Sequence, residues 1–408
     1  MVRGRARATT LALAVALALA LSASSGLATT GATSVPEAAP SGFVGVNVDG
    51  PLYPIGAPGI NLAAQFAKME QAGVESVRLV FNWATAQPYE RWSEVPAGVS
   101  SHYVDQGGVP TSFSHTDAVM RLAARLGLTV LPTVIYAPSW DSVGATPSSF
   151  GRPAVTGPYA EFLADLVHRY GPRGSFWRGN ASADPVREWQ IWNEPNLPGY
   201  WPTQPFAASY VALLKAADRA IKLADPHARV VLAGLPNYSW SDLQSIYRIP
   251  GSRSAFDVVA AHPYTVTPSG VIRILSYVRA VMNRNGDRAK PLIADEIGWP
   301  SALGHSTIGQ VSWATTEAGQ ARRIAALLPM LAAKRRALGL SAFYYYTWAA
   351  SPQRGGAAFV FSYAGLFDYV GRSLVAKPGF AAFARAALAI ERCQHRSPLA
   401  TRCAVPVR

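Results

Sequence analysis

Eight times between Gly42 and Ile390, a short apolar run is followed by a run with helical periodicity. The apolar runs are FVGVNV (43–48), ESVRLVFNW (75–83), LTVLPTVIYAP (128–138), REWQIWNEP (187–195), RVVLAGLP (229–236), DVVAAHPY (257–264), KPLIADEIGWPS (290–301) and LSAFYYYTW (340–348). After the first, Leu62, Phe66, Met69 and Gly73 fall on one face at steps of four, three and four. Strands apolar on both faces must be covered on both sides. A helix after each one supplies the cover and forces parallel pairing. Eight such units fit a closed α/β architecture, the (β/α)₈ TIM barrel, which runs from ~200 to over ~400 residues. An open doubly wound sheet is the rival, but it normally brings a glycine-rich phosphate turn after a strand, and no such turn occurs.

Connection lengths agree with the barrel. Gly73, Gly127 and Gly339 nearly suffice to join a helix to the next strand, whereas 84–115, 138–156 and 349–377 are long loops rich in Pro, Gly, Trp and Tyr. All the long loops follow strands, which puts the functional face at the C-terminal end of the barrel.

The ends of the chain read differently. Arg3, Arg5 and Arg7 precede LALAVALALAL (11–21) and then small residues, the pattern of a bacterial secretory signal peptide over 1–28. A flexible leader is expected over 29–41, one barrel domain over 42–390 and a tail over 391–408. The two cysteines, Cys393 and Cys403, both lie in that tail, and in an exported chain a disulfide between them is expected to staple it. No later segment reaches the roughly 20 apolar residues that span a bilayer, so no integral membrane association is expected once the signal is removed.

The net charge is +13, or +10 without the three signal arginines. Basic clusters such as ARRIAALLPMLAAKRR (321–336) alternate with an apolar helical face and read as a solvated helix side, so nucleic acid is not an expected partner. There is no HExxH, no GxSxG and no cluster of His and Cys. Neither a metal nor an organic cofactor is expected, and the chain is expected to act as a monomer.

In a barrel, the residues that matter stand at the strand tips: Asp49, Arg78, Asn82, Trp83, Asn193, Glu194, His262, Tyr264, Glu296 and Trp348. Glu194 and Glu296 each end an apolar run, where a charge must be paired or solvated in a cleft. A single strand-end glutamate is as readily a salt-bridge partner or helix-cap neighbour. Two of them on the fourth and seventh strands face each other across a small barrel. Such a pair flanking one bond is what glycoside hydrolysis requires.

The motifs NEPN (193–196), HPY (262–264), DEIGWPS (295–301) and YYYTW (344–348) resemble those of glycoside hydrolase clan A, in family 39-like or family 5-like members. GLFDYVGRSLVAKPGFAAF (365–383) is similar to the segment before the last helix in such members, and DEIGWPS also resembles family 17. The resemblance implies a secreted retaining hydrolase that acts on a polysaccharide or oligosaccharide. Glu194 would be the acid/base and Glu296 the nucleophile. Asn193 would hold the sugar 2-hydroxyl, although strand alternation points 193 and 194 to opposite faces unless the strand bends. Arg78 and Tyr264 would hold Glu296, and His262 would either touch sugar or orient another group. Trp348 would form the aromatic floor, with a cis peptide after it; Trp83, Trp140, Trp201 and Trp299 would flank it. The long loops suggest an open cleft and endo action. The alternative is a polysaccharide-binding protein on the same barrel without catalysis.

Overall fold

The computed structural model describes residues 39–391 apart from 54–55, 147–148, 180–181, 306, 310 and 353–357. The expected signal peptide, most of the leader and the Cys393–Cys403 disulfide lie outside the described residues.

Eight strands form one parallel sheet: Val44–Val48 (β1), Ser76–Asn82 (β2), Thr129–Ile135 (β3), Glu188–Ile191 (β4), Arg229–Val231 (β5), Val259–Ala261 (β6), Leu292–Ile297 (β7) and Leu340–Tyr345 (β8). Each pairs with its neighbours in sequence, and β8 pairs with β1. Parallel bridges Val231 to Val258 and Leu235 to Ala261 link β5 to β6 and complete the ring. The helices that follow the strands are Leu62–Gln71 (α1), Ser114–Arg125 (α2), Thr156–Tyr170 (α3), Ala207–Ala224 (α4), Ser239–Tyr247 (α5), Pro268–Arg284 (α6), Glu317–Leu338 (α7) and Pro378–Ile390 (α8). The (β/α)₈ barrel read from the sequence is the observed fold.

Local chemistry sets the helix ends. Asn61, Thr267 and Thr316 accept hydrogen bonds from the first turns of α1, α6 and α7, satisfying amides that have no partner within the helix. Gly339, at φ 59°, ends α7 and is the whole link to β8. A left-handed residue there favours glycine.

Side-chain alternation builds two cores. Val44, Val46, Val77, Leu79, Phe343 and Tyr345 face outward and join the large apolar layer under the helices. Leu131, Val231, Ala260, Ile293 and Tyr344 form a second cluster. Two residues further along their strands, inward positions become polar: Thr133 follows Leu131, His262 follows Ala260, and Asp295 follows Ile293. The barrel is thus plugged with apolar groups at depth and polar towards its C-terminal mouth.

The long loops contain structure that the sequence patterns did not reveal. Val104–Gln106 pairs with Val109–Thr111, Ser142–Thr146 with Ser149–Pro153, and Phe367–Val370 with Ser373–Ala376, each antiparallel. Strands this short carry too few residues for a two-residue period to stand out.

Gly45 lies on β1 where a Cβ would overlap the ring of Tyr344 and the Ser76 hydroxyl. Gly45→Ala is expected to lose about 1–3 kcal/mol of stability through overpacking, measured by urea unfolding. An unchanged midpoint would mean that the plug is looser than described.

Candidate active site

The fourth strand stops at Ile191, and the chain then turns sharply: Trp192 has φ 71° and Glu194 has φ 44°. Two left-handed residues in three break the alternation. Trp192 turns into the apolar layer, where its Nε1 donates to the Tyr200 carbonyl, while Asn193 and Glu194 both reach the barrel mouth. This is the bend that the expected role of Asn193 required. The seventh strand solves the same problem in another way. Its register with β8 shifts between Ala294 and Ile297, so that Asp295 and Glu296, neighbours in sequence, both make contacts inside the barrel.

Arg78 on β2 organises what these strands present. Its Nε donates to Gln190 Oε1 at 2.7 Å, Nη1 to Asn47 Oδ1 and to Glu296 Oε1 at 2.8 Å each, and Nη2 to Asn193 Oδ1 at 2.7 Å. Nη2 also lies 3.5 Å from Asp295 Oδ2. Tyr264 donates to the other oxygen of Glu296 at 2.8 Å. Arg78 and Tyr264 thus each hold one oxygen of Glu296.

His262 is fully buried, and both its ring nitrogens face carboxylates, the contacts of an orienting group. Its Nδ1 lies 2.7 Å from Glu194 Oε1, and its Nε2 lies 3.2 Å from Asp295 Oδ2. Glu296 Oε2 is 3.5 Å from the same Nδ1. Burial disfavours charge on this ring, but Glu296 and Asp295 outweigh it and raise its pKa to about 10. Asp295 is pushed up by burial and pulled further down by His262 and Arg78, ending below its ordinary value. Burial raises Glu194 above the usual carboxylate range, against the His262 hydrogen bond, and the Glu296 charge raises it further. Burial and the neighbouring Glu296 carboxylate keep the Tyr264 hydroxyl protonated, as a donor.

Two cavities meet at Glu296. One, about 290 Å³, is lined by Asn47, Asp49, Arg78, Tyr136 and Asn193; the other, about 270 Å³, by Glu194, Tyr264, Trp313 and Phe361. Tyr200 and Tyr346 line both. Trp313 stacks on Tyr264 with 16° between the rings, giving the second cavity a flat aromatic wall. In the first, burial raises the Asp49 pKa to about 6, although Thr347 and Tyr346 bond to the carboxylate.

The tryptophans expected at the site are elsewhere. Trp348 is wholly buried on the outer side of β8, packed by Phe367 and Phe380 and donating to Gln65 of α1. The inward residues of β8 are Ala342 and Tyr344, so the aromatic at the mouth is Tyr346, and the cis peptide is Tyr346–Thr347. Trp83 is enclosed by Trp140 and Tyr159, and Trp299 by Arg323 and the Thr265 carbonyl. Trp201 is buried as well, and Trp140 is tied to the Gln87 carbonyl. None of these five lines the two cavities.

One oxygen each from Glu194 and Glu296 and one nitrogen of His262 lie within 4.8 Å of one another, close enough to share a metal ion. These atoms are already engaged with each other, with Arg78 and with Tyr264. A guanidinium beside Glu296 supplies the positive charge that an ion would bring.

No family model matches the sequence, and no curated protein matches it. Solved structures do. A monomeric β-xylosidase from Caulobacter crescentus CB15 superposes with a TM-score of 0.59 at 19% identity, over 86% of this chain and 69% of that one. The GH39 enzyme from Xanthomonas axonopodis pv. citri gives 0.60 at 16% identity, over 87% and 68%. The GH53 catalytic domain from Ignisphaera aggregans gives 0.55 at 22%, over 84% and 95%. The chain carries the fold of a clan A glycosidase. On this barrel, strand alternation from Ile293 and Tyr344 would have found Asp295 and Tyr346 from the sequence. Tyr200 and Trp313 sit on loops and left no such trace.

Gly234 touches the centre of the site. A Cβ there would fall on His262 Nε2 and Asp295 Oδ2, so only glycine lets these two groups meet. Charged His262 adds stability that is complete below its ordinary value of 6.5 and is lost as pH rises through about 10. Gly234→Ala is expected to separate the pair, so that His262 titrates lower by ¹⁵N NMR and stability changes less between neutral pH and about 10. A histidine that titrates as in the parent protein would count against the contact.

Proposed function

We propose that the protein is an exported, monomeric retaining glycoside hydrolase that cleaves internal O-glycosidic bonds of a polysaccharide or glycan by double displacement. The observation that carries the reading is the spacing of the carboxylates. An oxygen of Glu194 lies within 4.8 Å of one of Glu296. Retaining enzymes hold the two carboxyl groups about 5–5.5 Å apart, and inverting enzymes about 6.5–9.5 Å. The glycosidases among the structural neighbours support the same reading. Export rests on residues 1–28 alone, and internal cleavage on the open, loop-built mouth.

Protonation supports distinct roles for the two glutamates. Arg78 and imidazolium His262 balance the carboxylates of Asp295 and Glu296, so an ionised Glu194 would be an uncompensated third anion. Glu194 therefore carries its proton to the glycosidic oxygen as Glu296 attacks the anomeric carbon and the leaving group departs. Esterification removes the Glu296 charge. Glu194, now a carboxylate stabilised by His262, takes a proton from water, which attacks the same carbon and frees Glu296. Asn193 gives its Oδ1 to Arg78, which leaves its amide N–H groups for the sugar 2-hydroxyl.

Glu296→Gly and Glu194→Ala are each expected to lower turnover about 10²–10⁴-fold or more. With activated aryl glycosides, azide should rescue Glu194→Ala to a glycosyl azide of retained configuration and Glu296→Gly to the inverted one. Full activity in either variant would sink the assignment. Glycan binding by the wild type with no release of reducing ends would favour the binding-protein alternative.

The same electrostatics set a pH test. The basic limb of kcat/KM should lie above the ordinary carboxylate range, because the acid form of Glu194 is the active one. In Glu296→Gln the neighbouring anion is gone, so the Glu194 carboxyl should titrate lower by ¹³C NMR. An unchanged or higher value would contradict the coupling.

A further inference from the structure

A third cavity, of about 550 Å³, lies beside the first and shares Tyr53 and Asn82 with it. The loop after β2 and the start of α2 build it. Its position relative to the carboxylates gives it a meaning. Glu194 lines only the Trp313 cavity, and Asn193 lines only the Asp49 cavity, while Glu296 lines both. On the proposed reading the acid stands on the leaving-group side of the bond. The leaving sugar then occupies the Trp313 cavity, and the sugar that becomes bound to Glu296 occupies the Asp49 cavity. The third cavity adjoins the Asp49 cavity and continues away from the scissile bond.

Its chemistry narrows the occupant. Ser101, Ser112 and Ser114 offer hydroxyls, His102 and His115 offer ring nitrogens, and Tyr103 offers an aromatic face. Among the described residues, no carboxylate, guanidinium or ammonium group lines it. Such a wall suits a neutral polyhydroxylated ligand, with hydrogen bonds at the edges and stacking on the apolar face. Its volume of about 550 Å³ against about 290 Å³ for the Asp49 cavity is a ratio of roughly two.

The loop is braced before any ligand arrives. Trp83 Nε1 donates to the Gln87 side chain at 2.7 Å, and Gln87 Nε2 donates to Thr111 Oγ1 at 2.8 Å. Trp140 Nε1 donates to the Gln87 carbonyl at 2.8 Å, and Tyr103 packs edge-on against Tyr89. Trp83 and Trp140, which do not line the two central cavities, thus brace the wall of the third.

We infer that this cavity is a distal subsite for about two further sugar units of a neutral oligosaccharide, extending its non-reducing side over the β2 loop. The inference rests on the proposed glycosidase reading for its direction, and on the cavity itself for its ligand.

The test uses the full chain and the double variant His102→Ala/Tyr103→Ala, checked for folding by circular dichroism. Probes are cello-, xylo-, manno- and laminari-oligosaccharides from disaccharide to hexasaccharide, aryl monoglycosides, and oligogalacturonides as acidic controls. In the wild type, kcat/KM should rise with chain length. In the double variant it should fall about tenfold for the longer probes, the factor that 1.4 kcal/mol of lost contact gives, and stay unchanged for aryl monoglycosides. Equal rates at all lengths, or an equal loss on every probe, would overturn the subsite. Calorimetric titration of Glu296→Gln separates the two claims. If the wild type hydrolyses nothing but longer neutral probes bind more tightly, and that gain is lost in the double variant, the subsite stands and the catalytic reading falls. Binding of none of the neutral probes, or tighter binding of oligogalacturonides, would overturn the inference.

Discussion

A single buried guanidinium sets the form of this barrel mouth. Arg78 reaches Asn47 of β1, Gln190 of β4, Asn193 beyond it, and Asp295 and Glu296 of β7. Burying such a charge unpaired would cost several kcal/mol, so each partner is held in place by the penalty of leaving it. Four strands are thereby fixed relative to one another at the level where chemistry happens. The mainly apolar layer one step deeper chiefly fills space, and Leu131, Ile293 and Tyr344 do so.

Around Arg78 the charges are arranged in alternation. Each imidazole nitrogen of His262 faces a carboxyl oxygen, and Asp295 lies between His262 and Arg78. The arrangement distinguishes two chemically identical side chains. Glu296 receives hydrogen bonds from Arg78 and Tyr264, whereas Glu194 receives only the shared attention of His262 in a buried setting. On the proposed function, two glutamates acquire different tasks because their neighbours differ.

Much of this was legible in the sequence because it follows from periodicity. Eight apolar runs, each with a helix behind it, specify the barrel, and the polar residues at the ends of those runs name Arg78, Asn193, Glu194, His262, Tyr264 and Glu296. At two places the backbone departs from period two. Alternation alone would turn one of each adjacent pair, Asn193 and Glu194 or Asp295 and Glu296, away from the mouth; left-handed φ values at Trp192 and Glu194 and a register shift in β7 bring them inward. Trp348 was expected as the floor because a tryptophan at a strand end is conspicuous. The parity of β8 gives that place to Tyr346, and Trp348 packs against Phe367 and Phe380. Trp313 and Tyr200 lie on loops, where no period exists to read.

The hairpins inside the long loops have a further consequence. Each pairs most of its backbone within itself, Val104–Gln106 on Val109–Thr111 and Ser142–Thr146 on Ser149–Pro153, with the Phe150 amide donating to the Gly199 carbonyl of the neighbouring loop. A segment paired mainly with itself can be exchanged as a unit, and the carboxylates and Arg78, rooted in strands, do not register the exchange. On the proposed function, the chain therefore separates what it does from what it does it to: the reacting frame is inherited with the sheet, and preference for one glycan over another is free to drift in the loops.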